Sequence, residues 1–392
     1  MDPSRRALLA GTGAALSGLA GCTALPPNPL TAKTLSVPEG SDVWPMRRFD
    51  VRRTNVNSDA PGPGREPSVV QTYYASRPVV VGSDGEVRWR DASGDRRPAS
   101  VVTDEFLLRG RSKMEVAATT HGGEDAWTLN FPTVESDGAT WNGRPEWLTP
   151  VGDRLYAIDG NRTVFGGVPG GRPRWHAKTD PVHGRSDHGL AVAGETLVAS
   201  GTESYRPSGT RGEGRFHHTS LVGVGLDGER RWTFETTGYP WTVATDDRRA
   251  FVPVSTGEWK SGEERLLANH LFVVDTRTGD ARARRPLNVG WNRGMALFHA
   301  AVVVCGTEAI ICLERDSLEE RWRVPVDDSD GVVGGGGVVF AGSNRGVRAL
   351  SLEDGSERWR FDSDESRNEP VAVAGANVYV SATDVVYALG PK

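Results

Sequence analysis

The chain has 392 residues, of which 37% are hydrophobic, and a formal net charge of −5 at pH 7. This composition is sufficient to bury a sizeable core, and 48 Gly with 24 Pro residues indicate many tight turns. The mild negative charge, without a stripe of Lys and Arg interleaved with aromatic residues, argues against a nucleic-acid-binding protein.

The first 22 residues have the pattern of an export signal. Arg5 and Arg6 precede a Gly/Ala-rich apolar stretch that is too short to span a membrane. The paired arginines resemble the twin-arginine export signal, and Leu19-Ala20-Gly21-Cys22 resembles the lipobox of prokaryotic lipoproteins. The resemblance implies export and a lipid on Cys22 that anchors the protein to the outer face of the cell membrane. A buried N-terminal helix or an uncleaved anchor is the alternative.

Residues 23–43 are Pro-rich, polar and aperiodic. This composition predicts a tether between the lipid anchor and a folded domain that covers residues 44–392.

A Gly-x-x-x-Trp unit recurs through the folded domain. In the last copy two apolar-alternating runs flank Asp354-Gly355, a strong hairpin signal, and the second run reaches Trp359. Degenerate copies are centred on Ala283 and Trp322, and the other intact copies end at Trp89, Trp127, Trp175 and Trp232. A repeat of about 40 residues with four strands per unit predicts an all-β fold, the β-propeller.

The repeats predict seven blades of four antiparallel strands, with eight blades as the alternative. The C-terminal unit has strands at Val371–Val373, Asn377–Ser381 and Val385–Leu389 but ends before its outer strand. Because an orphaned strand would leave an open edge, we expect an N-terminal strand, Val69–Tyr74 or Glu86–Arg90, to close the ring.

The repeat resembles that of the PQQ-like β-propeller family over about residues 44 to 389. The last copy carries the matching residues Ala349, Ser351, Asp354, Gly355 and Trp359. That family includes quinoprotein dehydrogenases and cofactor-free scaffolds such as the BamB-like lipoprotein propellers. The resemblance therefore implies the propeller fold and leaves both kinds of function open.

Of the two kinds of function, enzyme and cofactor-free scaffold, the enzyme is less favoured. Quinoprotein dehydrogenases hold PQQ and calcium in the propeller channel below a disulfide between adjacent cysteines, and this chain has no Cys-Cys pair. No ligand shell for a redox cofactor is recognisable. We therefore predict no enzymatic activity and no PQQ or Ca²⁺.

Cysteine and histidine residues give no clear metal site. Cys305 and Cys312 fall on adjacent strands of one blade, so they form either a hairpin disulfide or, as we prefer, two buried thiols. His183 and His188 share a loop with two Asp residues, but no spacing places these groups on one ion. We predict no metal.

The repeat tryptophans have a structural interpretation. Each follows a turn at a fixed offset, so the ring of indoles is expected to pack between neighbouring blades. These blade-packing residues are Trp89, Trp127, Trp175, Trp232, Trp322 and Trp359, with Gly355.

A recognition face is predicted where the long loops open on one side of the propeller. The loops are the enlarged hairpins Thr202–Phe216 and Ser255–Ala268 and the long connections between blades. Aromatic and Arg side chains on variable loops of a rigid frame are typical of binding surfaces, although they could instead plug the channel mouth. The candidate residues are Trp141, Tyr239, Trp241, Trp291, Arg293, His183 and His188.

These observations predict an exported, lipid-anchored, monomeric propeller that binds an unidentified macromolecular partner at the membrane surface. The alternatives are a small-molecule or saccharide binder that uses the same aromatic mouth, and a quinone-dependent oxidoreductase.

Overall fold

The computed structural model describes residues 35–46, 49–50, 52–74, 79–81, 87–90, 99–111, 113–131, 134–136, 139–141, 144–159, 163–167, 173–178, 189–205, 216–260, 263–383 and 385–391. The predicted signal peptide, including Arg5, Arg6 and Cys22, lies outside the described residues. So do His183 and His188.

The described residues form β-strands and no helix. In this part of the chain there is accordingly no helix of the length and apolarity that a membrane crossing requires.

Seven antiparallel sheets follow one another along the described chain. Sheet 1 contains Ser100–Val102, Phe106–Arg111, Glu115–Thr120 and Asp125–Asn130. Sheet 2 contains Pro145–Val151, Arg154–Asp159, Thr163–Gly167 and Pro173–Lys178. Sheet 3 contains Leu190–Ala193, Thr196–Tyr205, Phe216–Gly225 and Arg230–Thr237. Sheet 4 contains an interrupted first strand, Tyr239–Pro240 and Ala244–Thr245, followed by Arg249–Lys260, Glu263–Asp275 and Ala281–Pro286.

The last three sheets have the same plan. Sheet 5 contains Asn292–Leu297, Ala301–Gly306, Ala309–Glu314 and Glu320–Pro325. Sheet 6 contains Gly331–Gly335, Val338–Ser343, Gly346–Ser351 and Glu357–Asp362, with Val56–Asn57 paired in parallel to its first strand. Sheet 7 contains Glu369–Ala374, Asn377–Ser381, Val385–Gly390 and Ser68–Tyr74. The all-β propeller prediction is confirmed, while the blade count stays a prediction.

Sheet 7 joins the two ends of the folded domain. Its first three strands are C-terminal, and Ser68–Tyr74 supplies the fourth by pairing antiparallel to Val385–Gly390. Of the two closing strands considered from the sequence, Val69–Tyr74 is therefore the one used. The other candidate, around Trp89, lies on Val87–Arg90, whose partner among the described residues is Val79–Val81 in a separate two-stranded sheet.

Strands extend into both hairpins that were predicted as enlarged loops. In sheet 3 the second and third strands stay paired out to Tyr205 and Phe216. In sheet 4 the corresponding ladder runs on to Lys260 and Glu263, with one irregularity at Thr256/Gly257. Pairing satisfies the backbone groups in the described parts of both hairpins, and the described part of the sheet 4 hairpin is a two-stranded ribbon.

An N-terminal segment enters the space between the sheets, and we refer to its described residues, 45–46, 49–50 and 52–57, as the plug. Main-chain oxygens of the plug accept hydrogen bonds of 2.8 to 3.0 Å from the backbone N–H groups of Val102, Thr245, Leu297 and Gly334, in sheets 1, 4, 5 and 6. These partners all lie on or at the end of the first strand of their sheet. The first strands therefore face a common channel that the plug occupies.

Side chains of the plug reach the remaining sheets. Arg53, which is 1% exposed, donates to the carbonyl oxygens of Leu148 at 2.9 Å and Leu190 at 3.1 Å, in sheets 2 and 3. The side-chain amide of Asn57 donates to the Val373 carbonyl in sheet 7 at 3.3 Å. Thus one short segment bonds to the first strand of every one of the seven sheets.

Residues 35–43, the C-terminal part of the predicted tether, contact the propeller. Leu35 is buried among core residues of sheets 1 and 2, and its N–H donates to the Gly152 carbonyl at 2.7 Å. Asn57 also donates to the carbonyls of Gly40, Ser41 and Val43. Residues 35–43 are thus held against the propeller by hydrogen bonds and apolar contact, which a count of Pro and polar residues does not reveal.

Candidate recognition face

Three repeat tryptophans pack between successive sheets. The Trp232 indole lies against Gly279 of sheet 4 and its Nε1–H donates to the Thr276 carbonyl at 2.8 Å. The Trp322 indole repeats this arrangement one step further on, against Gly355 and the Leu352 carbonyl at 2.9 Å. Gly279 and Gly355 have φ angles of 79° and 74°, and a Cβ at either position would collide with the indole.

Trp359 makes the equivalent bond to the N-terminal segment. Its Nε1–H donates to the Pro63 carbonyl at 2.7 Å, and its ring lies 5.7 Å from that of Phe340. Pro63 therefore takes the place of a blade turn at the point where sheet 7 is closed.

The other repeat tryptophans are less informative. Trp127 is half-buried and packs edge-on against Phe106, with ring centroids 5.9 Å apart. Trp175 lies on the outer strand of sheet 2. Trp89 lies outside the seven sheets, as described above, because Ser68–Tyr74 occupies the closing position.

A different group of aromatic residues lies where the first strands of sheets 4 and 5 begin. We refer to this end of the channel as the mouth. In sheets 4 to 7, one residue lies the same number of positions before the turn that joins the first and second strands. These equivalent residues are Trp241, Arg293, Asp330 and Glu369. The fold therefore brings side chains that are far apart in the sequence to one rim.

Tyr239, Trp241 and Arg293 are in contact there and form what we refer to as the mouth cluster. The Tyr239 and Trp241 rings meet edge to face with centroids 5.4 Å apart. The Arg293 guanidinium lies over the Trp241 ring, 5.7 Å from its centroid. Both aromatic side chains are half-buried and Arg293 is exposed, so the cluster presents an aromatic surface topped by a positive charge.

Ser255 fixes the position of the mouth cluster. Its hydroxyl oxygen accepts a hydrogen bond from Trp241 Nε1 at 3.2 Å and another from the Asn292 backbone at 3.3 Å. The backbone N–H of Trp241 also donates to the Pro253 carbonyl at 3.1 Å. The cluster is therefore held on strands rather than on a loose loop, as a specific contact surface requires.

Trp291, which was predicted to belong to the recognition face, packs on the ribbon of sheet 4. Its ring packs on Gly257 of the sheet 4 ribbon, where a side chain at position 257 would collide with it. Its backbone N–H donates to the Thr307 hydroxyl at 3.1 Å. Trp291 thus supports the ribbon beside the mouth cluster, and no described contact joins it to Trp241.

Acidic groups adjoin the mouth cluster on the side of sheet 6. Arg293 Nε lies 3.9 Å from an Asp328 carboxylate oxygen. Burial raises the pKa of Asp330, and the neighbouring Asp328 carboxylate raises it further, while Arg293 and Arg367 act in the opposite direction. Arg293 therefore connects the aromatic part of the mouth to an acidic part.

The remaining candidate residues are Trp141, His183 and His188. Trp141 lies on Ala139–Trp141, a strand that pairs with Val134–Ser136 outside the seven sheets. His183 and His188 fall outside the described residues. Within the described chain, there is no group of three or more His, Cys, Asp or Glu residues that could hold a metal ion.

Polar side chains of the plug occupy the channel of this propeller. Arg53, Asn55 and Asn57 are buried there and bond to the surrounding first strands, with Asn55 Nδ2 donating to the Val332 carbonyl. Cys305 and Cys312 are both buried, and no disulfide joins them. They are not opposite each other, because Cys305 pairs with Ile310 and Cys312 with Val303. Burial raises the pKa of the Cys312 thiol to about 12.

Sequence reasoning missed the acidic part of the mouth. The signal was the run Asp327-Asp328-Ser329-Asp330, which precedes the first strand of sheet 6. A short acidic run between repeats is usually a solvated connection, so only the fold shows that it meets Arg293.

Comparison with known proteins agrees with this architecture. Residues 267–392 match the family model described as outer membrane protein assembly factor BamB. The crystal structure of BamB from Moraxella catarrhalis superposes with a TM-score of 0.55 and 14% identity, covering 83% of this chain and 98% of that chain. The computationally designed Ika8 protein superposes with a TM-score of 0.58 and 11% identity, covering 78% of this chain and 87% of that chain. At these identities the structural matches show the fold alone. No curated protein gives a significant match.

Proposed function

We propose that this chain, a PQQ-like β-propeller, is an exported, lipid-anchored scaffold that binds another protein through the mouth cluster. It acts as a monomer at the outer face of the cell membrane and catalyses no reaction. The lipid on Cys22 attaches it to the membrane, and the mouth cluster binds the protein partner.

The observation that carries the proposal is the mouth cluster itself. Tyr239 and Trp241 are in edge-to-face contact, and the exposed Arg293 lies over Trp241. Tyr, Trp and Arg are the residue types that dominate the binding energy of protein interfaces. Ser255 and Pro253 fix the cluster in advance, which lowers the entropic cost of binding.

Two further points support a scaffold. The plug places protein side chains in the channel where a dehydrogenase of this family would hold its cofactor. The family model that matches residues 267–392 describes a factor that assembles outer membrane proteins, and a role in binding proteins at a membrane is the part of that description we carry over.

The binding proposal is tested by capture of membrane proteins with the lipidated protein, followed by identification of those that the variants lose. Trp241→Ala and Arg293→Ala should lose the partner. Arg248→Ala is the control, because Arg248 is an exposed residue of the turn at the opposite end of the first strand of sheet 4. Loss of the partner by the control variant alone would place the binding surface at the other end of the channel.

The anchor gives a separate prediction. Cys22→Ser should release the protein from membranes or block its maturation, because serine offers no thiol for the lipid. Arg5→Lys combined with Arg6→Lys should retain the protein inside the cell. Both outcomes are measured by fractionation and immunoblotting. A Cys22→Ser protein that sediments with membranes as the unaltered protein does would show that no lipid on Cys22 is needed.

A further inference from the structure

We infer that an acidic notch beside the mouth cluster binds a basic side chain, Lys or Arg, of the protein partner. The notch consists of Asp328, Ser329, Asp330 and Asn368. This inference rests on the proposed function and names the chemistry of the partner that the mouth selects.

The backbone of the notch is fixed by its neighbours. The Asp328 N–H donates to the Thr307 carbonyl of sheet 5 at 2.8 Å, and the Asp330 N–H donates to the Gly342 carbonyl of sheet 6 at 2.9 Å. The connection from sheet 5 to sheet 6 therefore holds the two carboxylates in place before any partner arrives.

Four oxygen atoms of the notch are buried and have no hydrogen-bond partner: Asp328 Oδ1, Ser329 Oγ, Asp330 Oδ2 and Asn368 Oδ1. Ser329 is 1% exposed and Asn368 is 0% exposed. Buried polar atoms in proteins almost always have a hydrogen-bond partner, so four without one at residues 328–330 and 368 are a strong departure from normal hydrogen bonding.

The four oxygen atoms lack hydrogen-bond donors. Carboxylate and amide oxygens can only accept, and the Ser329 hydroxyl can accept as well as donate. The Asn368 amide is correctly oriented for this role, since its Nδ2 donates to the carbonyls of Ser343 at 3.1 Å and Glu365 at 2.7 Å. The side-chain oxygen Oδ1 is therefore the amide atom that lacks a hydrogen-bond partner. An ammonium brings three N–H donors and a guanidinium five, and neither brings an acceptor.

Carboxylates and guanidinium groups meet around the notch. Asp328 and Asp330 interact with each other, and the Arg residues that face Asp330 are Arg293 and Arg367. Arg293 lies 3.9 Å from Asp328, beyond hydrogen-bond distance, and is shared with the Trp241 ring. The two carboxylates therefore keep acceptor capacity for a further basic group.

A groove gives the partner chain access to the notch. It has a volume of about 460 Å³ and runs between sheets 5 and 6, lined among others by Val326, Asp327, Asp328, Arg345 and Phe361. Asp328 belongs to both groove and notch, so a backbone lying in the groove can direct a basic side chain to the unpartnered oxygens.

The test uses a defined probe with the full-length protein. Binding of the peptide acetyl-Gly-Arg-Gly-amide is compared with that of its citrulline analogue, which is neutral and of the same shape, by calorimetry. A hydrogen bond to a charged group contributes about 1.5–3 kcal/mol, so the arginine peptide should bind about tenfold or more tightly. Asp328→Asn and Asp330→Asn should each remove most of that preference.

Asp327→Asn is the matched control, because Asp327 lines the same groove and loses the same charge but has no unpartnered buried oxygen. It should bind the arginine peptide within about twofold of the unaltered protein.

Equal binding of both peptides, or unchanged binding by Asp328→Asn and Asp330→Asn, would overturn the inference. If the peptides show no preference while Trp241→Ala still loses the partner, the notch is wrong and the proposed function stands. If the notch binds the arginine peptide but neither mouth-cluster variant loses a partner, the proposed function fails instead.

Discussion

Deletion of residues 369–392 should abolish cooperative folding and leave an aggregating protein. The deletion removes three of the four strands of sheet 7, and the remaining strand, Ser68–Tyr74, loses Val385–Gly390, the strand with which it pairs. It also uncovers sheet 6, whose Val333 and Phe340 pack in one core cluster with Val373 and Val380 of sheet 7. An unpaired strand edge next to exposed apolar surface is a site of aggregation.

Size-exclusion chromatography and urea unfolding provide the measurement, with deletion of residues 391–392 as the control, since these lie after the last strand. The control should be monomeric and unfold in one transition. A soluble truncated protein with a sharp unfolding transition would mean that the C-terminal strands are not needed to close the fold.

The second large effect is expected for Trp359→Ala, which should lower the free energy of unfolding by roughly 3–5 kcal/mol. The side chain is 5% exposed, packs on Phe340 and donates to the Pro63 carbonyl. Its loss leaves a cavity and an unpaired carbonyl at the point where the N-terminal segment joins sheet 6.

Trp359→Phe separates these two contributions, because it keeps an aromatic ring and removes the hydrogen bond. It should cost less than Trp359→Ala in urea unfolding, and Trp322→Ala should cost about as much as Trp359→Ala because its contacts are equivalent. A change below about 1 kcal/mol for Trp359→Ala would show that the repeat tryptophans do not stabilise the packing between sheets.

The sequence predicted the regular part of the fold well because local signals and packing agree there. The strands expected at Asn377–Ser381 and Val385–Leu389 lie at Asn377–Ser381 and Val385–Gly390. In the last repeat Asp354-Gly355 forms the expected turn, and Gly355 accepts the indole of the preceding blade. Such alternation and turn chemistry are local properties, so a single sequence contains them.

The plug could not be predicted in the same way. Arg53 and Asn57 are polar residues of types that usually lie at the surface. Both are buried, and both donate hydrogen bonds to main-chain carbonyls of distant strands. A buried polar residue satisfied by backbone groups leaves no periodic signal in the sequence. The same limit applied to Arg293 and Asp328, whose proximity depends on the way two successive sheets are arranged.

The recognition residues were predicted in part. Tyr239, Trp241 and Arg293 do meet at the mouth, since the connections that carry them precede adjacent sheets. Trp291 was grouped with them because it lies in an adjoining connection, outside the register of the packing tryptophans, whereas its ring packs closely on Gly257 of the ribbon.

The most direct test of the proposed scaffold compares Trp241→Ala with Trp359→Ala in two assays, affinity for the captured partner and thermal melting. Truncation of an interface anchor typically costs about 2 kcal/mol, which corresponds to about a thirtyfold loss of affinity. Trp241→Ala should show that loss while it melts close to the unaltered protein, because its side chain is only half-buried. Trp359→Ala should melt early and, at a temperature where it is folded, bind the partner normally. An early-melting Trp241→Ala protein whose folded form keeps its affinity would contradict the account and make Trp241 a packing residue.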